Sequence, residues 1–190
     1  MARAYAEGAR HAGASVRFLD VAQLAFNPLL QHGHYGEQPL EADLLTAQSD
    51  ISWAHHLVWV YPIWWGAMPA LLKGFIDRVL LPGYAFKYRK GSPLWDKLLA
   101  GRSGELLVTM DSPPWYFRWV TRMPGHHQMK KAILEFCGIR PVRVHSFGPV
   151  RTASAERLAL WVEKARHLGE RQGSRGAPVA PRPAPLTSTP

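Results

Sequence analysis

Two nearly unbroken apolar runs, Leu57-Val58-Trp59-Val60-Tyr61 and Leu106-Leu107-Val108-Thr109-Met110, limit what this chain can fold into more than anything else in it. A strand with one wet face alternates apolar and polar residues. A strand that is apolar at successive positions must be covered on both faces, as in a parallel sheet held between helical layers. The segments around these runs carry apolar residues at helical spacing, so the layout is that of an α/β protein rather than a bundle or a sandwich.

The remaining elements follow in order. Residues 1–13 are Ala-rich and end at Gly13, a suitable helix stop, after which Val16, Phe18 and Val21 space out a short strand. Residues 22–38, rich in His, Gly, Asn and Pro, are expected to be a surface loop; Leu40, Leu44, Leu45 and Trp53 then mark a helix to about His55. Pro62 ends the first apolar run, Ile63 to Met68 form a loop, and Pro69 stands where a helix can begin. Leu72, Phe75, Ile76, Val79 and Leu80 give that helix its buried side, and Pro82-Gly83 stops it. A helix from Met129 to Phe136 capped by Gly138, a strand through Val142, Val144 and Ser146, and a helix carrying Leu158, Trp161, Val162 and Ala165 complete a count of four strands and about five helices.

With 190 residues and 47% apolar content the chain can bury a core as one domain. It has no apolar run of bilayer-spanning length and its start lacks the pattern of a secretion signal, which leads to the expectation of a cytoplasmic protein. The lone cysteine, Cys137, excludes an intrachain disulfide. Without Arg171, Arg175 and Arg182, the net charge of +9 falls to +6. What remains is scattered and forms no basic stripe, so no nucleic-acid partner is expected. An excess of this size suits a protein that attracts phosphorylated cofactors. From 171 to 190 the composition turns to Gly, Ser, Pro and Arg, as in a disordered tail, leaving 1–170 as the domain. The histidine pairs His32/His34, His55/His56 and His126/His127 lack the Glu-containing spacing of a catalytic zinc site, and no metal is expected.

Open α/β sheets bind ligands beyond the carboxyl ends of their strands, which directs attention to the loops after Tyr61 and Met110. The first reads Pro62-Ile63-Trp64-Trp65-Gly66-Ala67-Met68-Pro69. Two adjacent indoles in a surface loop can pack against a planar ring, and Gly66 lets backbone come close to it. They can equally plug a core or a subunit interface. The second loop reads Thr109-Met110-Asp111-Ser112-Pro113-Pro114-Trp115, where the two prolines have no N–H to give.

The stretch from Tyr61 to Leu80, the following Pro82-Gly83-Tyr84-Ala85-Phe86 and the later Phe136-Cys137-Gly138-Ile139 closely resemble the NAD(P)H:quinone oxidoreductase family of flavodoxin-like flavoproteins. The resemblance spans about residues 1–165. It implies a flavodoxin-like three-layer fold around an open parallel sheet, bound FAD or FMN, NAD(P)H as co-substrate, a quinone-like acceptor and a homodimer with flavin near the interface. Pro62, Ile63, Trp64, Trp65 and Gly66 take the place of the family's flavin loop, with Met110, Asp111 and Ser112 as weaker flavin contacts. Tyr116 and His126 are the nearest matches to residues that help move charge and protons beside the acceptor.

The pattern departs from the family at the start, where the first strand and the phosphate-binding loop before the opening helix are missing. The sheet is therefore expected to lack its first strand. Two other readings remain open beside the oxidoreductase: an ancillary subunit of a potassium-efflux transporter, which would be its peripheral membrane partner, or a truncated fragment unable to hold flavin.

Overall fold

The computed structural model describes residues 1–33, 36 and 38–175. Three parallel strands form the main sheet: β1 (His56–Pro62), β4 (Ser103–Thr109) and β5 (Val142–Phe147), in the order β1-β4-β5. Register is continuous along one line, with Trp59 opposite Leu106 and Leu106 opposite Val144. Alternation sends Val58, Val60 and Leu107 to one face, where they meet Tyr5, Ala9, Ala165 and Leu168. Leu57, Trp59, Leu106 and Val108 go to the other, against Leu44, Phe75, Met129 and Leu134. Both faces are covered, as the apolar runs require.

On the first face lie α1 (Ala2–His11) and α7 (Ala155–Gly173). They cross at glycines: a Cβ on Gly8 would stand 2.1 Å from the Arg166 carbonyl oxygen, and one on Gly169 the same distance from that of Tyr5. On the second face lie α2 (Ala42–Trp53), α3 (Ala70–Val79) and the helical run that follows α4 (Pro114–Trp119). That run comprises α5 (Pro124–His127), a widened π segment over Gln128–Leu134 and α6 (Glu135–Cys137), closed by Gly138 at φ 101°. A small antiparallel hairpin, β2 (Phe86–Tyr88) with β3 (Trp95–Lys97), flanks the sheet. The long loop ahead of α2 is fixed by Arg78, which is fully buried and donates to the Asn27 and Pro39 carbonyls and the Glu41 carboxylate at 2.6, 2.9 and 2.8 Å.

The strand expected through Val16, Phe18 and Val21 does not form. Residues 14–20 have no regular structure and Val21–Gln23 make a single 3-10 turn. Ala14 and Val16 nevertheless pack in the same cluster as Val58 and Val60, and Leu19 and Val21 join the one that holds Leu57 and Trp59. The segment thus contributes to the same two clusters as β1, but among the described residues β1 is laddered only to β4. A strand needs a hydrogen-bonded neighbour, and this segment has none.

The last helix continues through Gly173, beyond the expected domain limit at 170, because the Ala155–Gly173 face keeps its packing against α1 up to the contact of Gly173 with Ala9. Most of the expected tail, 176–190, and His34 lie outside the described residues. No described helix is long and apolar enough to cross a membrane.

Candidate functional site

The carboxyl ends of β1 and β4 place the two loops side by side, since Ile63 donates its N–H to Thr109 O at 2.7 Å. The first loop closes as a two-residue turn. Trp64 N–H reaches Ala67 O at 2.9 Å and Ala67 N–H reaches Trp64 O at 3.0 Å, with Trp65 at φ 50° and Gly66 at φ 77° between them. Positive φ at both central positions favours Gly, Asn or Asp; a tryptophan in the first of them is strained. Its side chain is not there to be buried: Trp65 is fully exposed and Trp64 is 61% exposed. Among the described residues no acceptor pairs with the Trp65 and Gly66 amides. An exposed pair of indoles and two free N–H groups at a sheet exit suit a flat ring with a polar edge.

The other expected positions divide. Asp111 accepts from Arg151 N–H at 2.9 Å, which ties down the loop after β4. Ser112 is exposed beside it. Met110 is buried, with its N–H given to Phe147 O and its carbonyl accepting from Val150, so it holds the loop from beneath. Pro62 completes β1 and Ile63 lies partly in the core under the turn.

Tyr116 is exposed on α4 and meets Trp115 edge to face at 5.9 Å. His126 is buried, 2.8 Å from Ser146 Oγ through Nε2 and 5.0 Å from the Phe117 ring. Burial, helped by the neighbouring His127 charge, lowers its pKa to about 4, so its ring is neutral near pH 7. It is placed to tie α5 to β5 rather than to face solvent.

Sequence reasoning passed over two features. Of the exposed apolar group around α4 (Trp115, Tyr116, Trp119, Val120) only Tyr116 was singled out, because nothing local marks Pro113-Pro114 as a helix start although proline is suited to the first helical turn. At the opposite end of the sheet, Glu105 is 3% exposed. Its carboxylate accepts from Tyr5 Oη at 2.6 Å and pairs with His145 Nε2 at 2.7 Å, with His56 Nε2 3.8 Å away. Burial alone would raise the carboxyl pKa, but hydrogen bonds from His145, His56 and Tyr5 hold it well below the usual range. Nothing in the local sequence pairs these four residues; the register of β1, β4 and β5 brings the histidines to Glu105, and the packing of α1 on the sheet adds Tyr5. No described group of three or more His, Cys, Asp or Glu side chains is arranged to hold a metal.

A parallel sheet covered by helices on both faces, with two loops side by side beyond the carboxyl ends of its strands, defines the class, and the sequence fits it: the model of a flavodoxin-like fold family matches residues 1–168. The chain belongs to that family. It is 29% identical over 161 residues to a Haemophilus influenzae protein named an uncharacterized NAD(P)H oxidoreductase, covering 80% of this chain and 77% of that protein. It is also 31% identical over 149 residues to the ribosyldihydronicotinamide dehydrogenase [quinone] of Rattus norvegicus, covering 70% of this chain and 61% of the rat protein, so it spans about three fifths of that relative's length. Among solved structures, an FMN-dependent NADH-azoreductase of Bacillus anthracis in complex with FMN superposes with a TM-score of 0.69 over 90% of this chain and 89% of that one, at 16% identity.

Proposed function

We propose that this protein is a flavin-dependent NAD(P)H oxidoreductase that passes reducing equivalents from a nicotinamide to a quinone or similar acceptor. The observation that carries the reading is the fully exposed indole of Trp65, held at a left-handed φ in a turn at the carboxyl end of β1. A flavin, FMN or FAD, would supply the redox chemistry, taking hydride from the nicotinamide and giving it up to the acceptor. The chain's part is to hold and orient. Trp64 and Trp65 would pack the ring, the Trp65 and Gly66 amides would donate to its polar edge, and Asp111 would keep the second loop in place by its bond to Arg151. Tyr116, exposed on α4, is the side chain free to meet an acceptor; the neutral His126 would hold the wall behind it. The names of the Haemophilus and rat relatives support the reaction class, and the azoreductase supports the choice of flavin.

Two structural proposals accompany this reading. The exposed α4 aromatics, together with Trp64, form the face on which a second copy would close the site into a homodimer. The open edge of β1, a seven-residue strand with no charged residue, lacks the protection that exposed edges usually carry. A further parallel strand between it and residues 14–20 would complete the sheet.

The test is NAD(P)H oxidation by the purified protein with FMN or FAD and a soluble quinone. Flavin-dependent turnover is expected. A protein that gains no oxidation with either flavin would instead be an ancillary subunit or a fragment.

A further inference from the structure

Left-handed backbone is unevenly distributed in this fold. Among the described residues the non-glycine positions with positive φ are Trp65 (50°), Arg122 (58°) and Met123 (53°). The two segments that hold them touch. A Cβ on Gly125 would lie 2.6 Å from the Gly66 carbonyl oxygen, 3.0 Å from Ile63 Cδ1 and 3.1 Å from Ala67 Cα, while one on Gly66 would lie 3.3 Å from Pro124 Cγ. The start of α5 therefore sits on the backbone of the Trp64–Ala67 turn at Gly125, with the Pro124 ring beside Gly66.

Gly125 does not owe its identity to its own backbone angle. It is in a helix, with φ outside the positive range, where alanine would be the better helix former. What alanine could not do is come this close to the turn. The segment is anchored on its far side as well. Met123 donates its N–H to Phe117 O at 2.9 Å, His127 N–H returns to Met123 O at 3.0 Å, and the His126 ring pairs with Ser146 Oγ on β5. Strained backbone persists only where its surroundings over-determine it, and this is such a place.

We propose that Gly125 is a positioning residue for the cofactor turn. The rigid Arg122–Gly125 segment is a seat, and the missing Cβ sets the height at which the turn, and with it the Trp65 indole, stands over the sheet exit. This deepens the flavin reading and rests on it.

The experiment compares wild type with Gly125→Ala and Gly8→Ala, reading amide hydrogen exchange at Trp64 and Ala67 and FMN affinity by titration. Gly8→Ala puts a still tighter clash at the α1–α7 crossing, 2.1 Å from Arg166 O, away from the turn. Gly125→Ala is expected to speed turn exchange and to weaken FMN binding about tenfold each, while exchange at Leu106–Val108 stays slow. Gly8→Ala is expected to leave turn exchange and FMN affinity within about twofold, whatever it costs in global stability. Should Gly125→Ala fail to fold, Pro124→Ala removes the ring atom nearest Gly66 without adding bulk, and about threefold faster turn exchange is expected. Wild-type exchange in the turn of the folded variant, or equal loosening by Gly8→Ala, overturns the proposal. If wild-type protein binds neither FMN nor FAD, the flavin reading fails, and the exchange arm still decides the seat.

Discussion

At the scale of single residues, the same side-chain type does opposite work in different places. Trp59 and Phe75 meet edge to face at 6.4 Å within the sheet-facing core, whereas Trp65 spends backbone strain to remain outside. Trp65→Ala leaves that strain in place, since any Cβ at this φ carries it, and should weaken FMN binding about tenfold, or roughly 1.4 kcal/mol. Cys137→Ser should change folding stability and leave flavin affinity alone, because burial pushes that thiol up to about 11 and keeps it inert in the core. Equal flavin affinity in the two variants, measured by titration, would count against the assigned turn. His126 makes a pH prediction. Its folded pKa, about 4, lies below the unfolded value of about 6.5, so between these the unfolded state binds more protons. Stability must then rise with pH through this window, by on the order of 3 kcal/mol. Urea melts across the window should show a shallower rise for His126→Gln. Glu105 has the same sign at lower pH: its folded pKa is depressed, so the stability it contributes is present above the unfolded carboxylate range and is lost as pH falls below it.

Elements are held together here mainly by close approach. The α1–α7 crossing depends on Gly8 and Gly169, each with a carbonyl oxygen where its Cβ would be. Gly169→Ala should cost about 1–3 kcal/mol by overpacking in a denaturant melt. The exposed Gly13, with open space around it, tests the other extreme: Gly13→Ala should cost only the strain of its φ of 89°. The covered strands at 57–61 and 106–110 were legible because a parallel sheet leaves a continuous apolar signature, and the strand at 142–146 from its alternating Val142 and Val144. The helices over α2, α3 and α7 were legible from spacing. The β2–β3 hairpin was not, since three-residue strands of mixed composition carry no period. The Val16–Val21 segment had the right alternation and still made no strand, because pairing is a property of the neighbour and not of the segment. In the site, the turn was readable from Trp64-Trp65-Gly66, while the contact of Gly125 with it joins residues nearly sixty apart and leaves no local trace.

On the scale of the whole molecule, the candidate site and the fold's own anchoring occupy opposite ends of one sheet. The Glu105, His56, His145 and Tyr5 cluster ties α1 to the amino-terminal half of the strands. The exposed aromatics gather at the carboxyl end, where a second copy would cover them. Sedimentation should give a dimer, and Trp119→Glu should shift it toward monomer while the fold is retained; a wild-type monomer that retains full flavin would contradict the interface. The most direct test of the account is the indole N–H resonance of Trp65 followed during FMN titration. Trp65 and Trp64 are expected to show the largest shifts, in proportion to bound flavin. Shifts centred instead on the distant surface cleft lined by Lys130, Arg140 and Val142, with the two indoles unmoved, would contradict it.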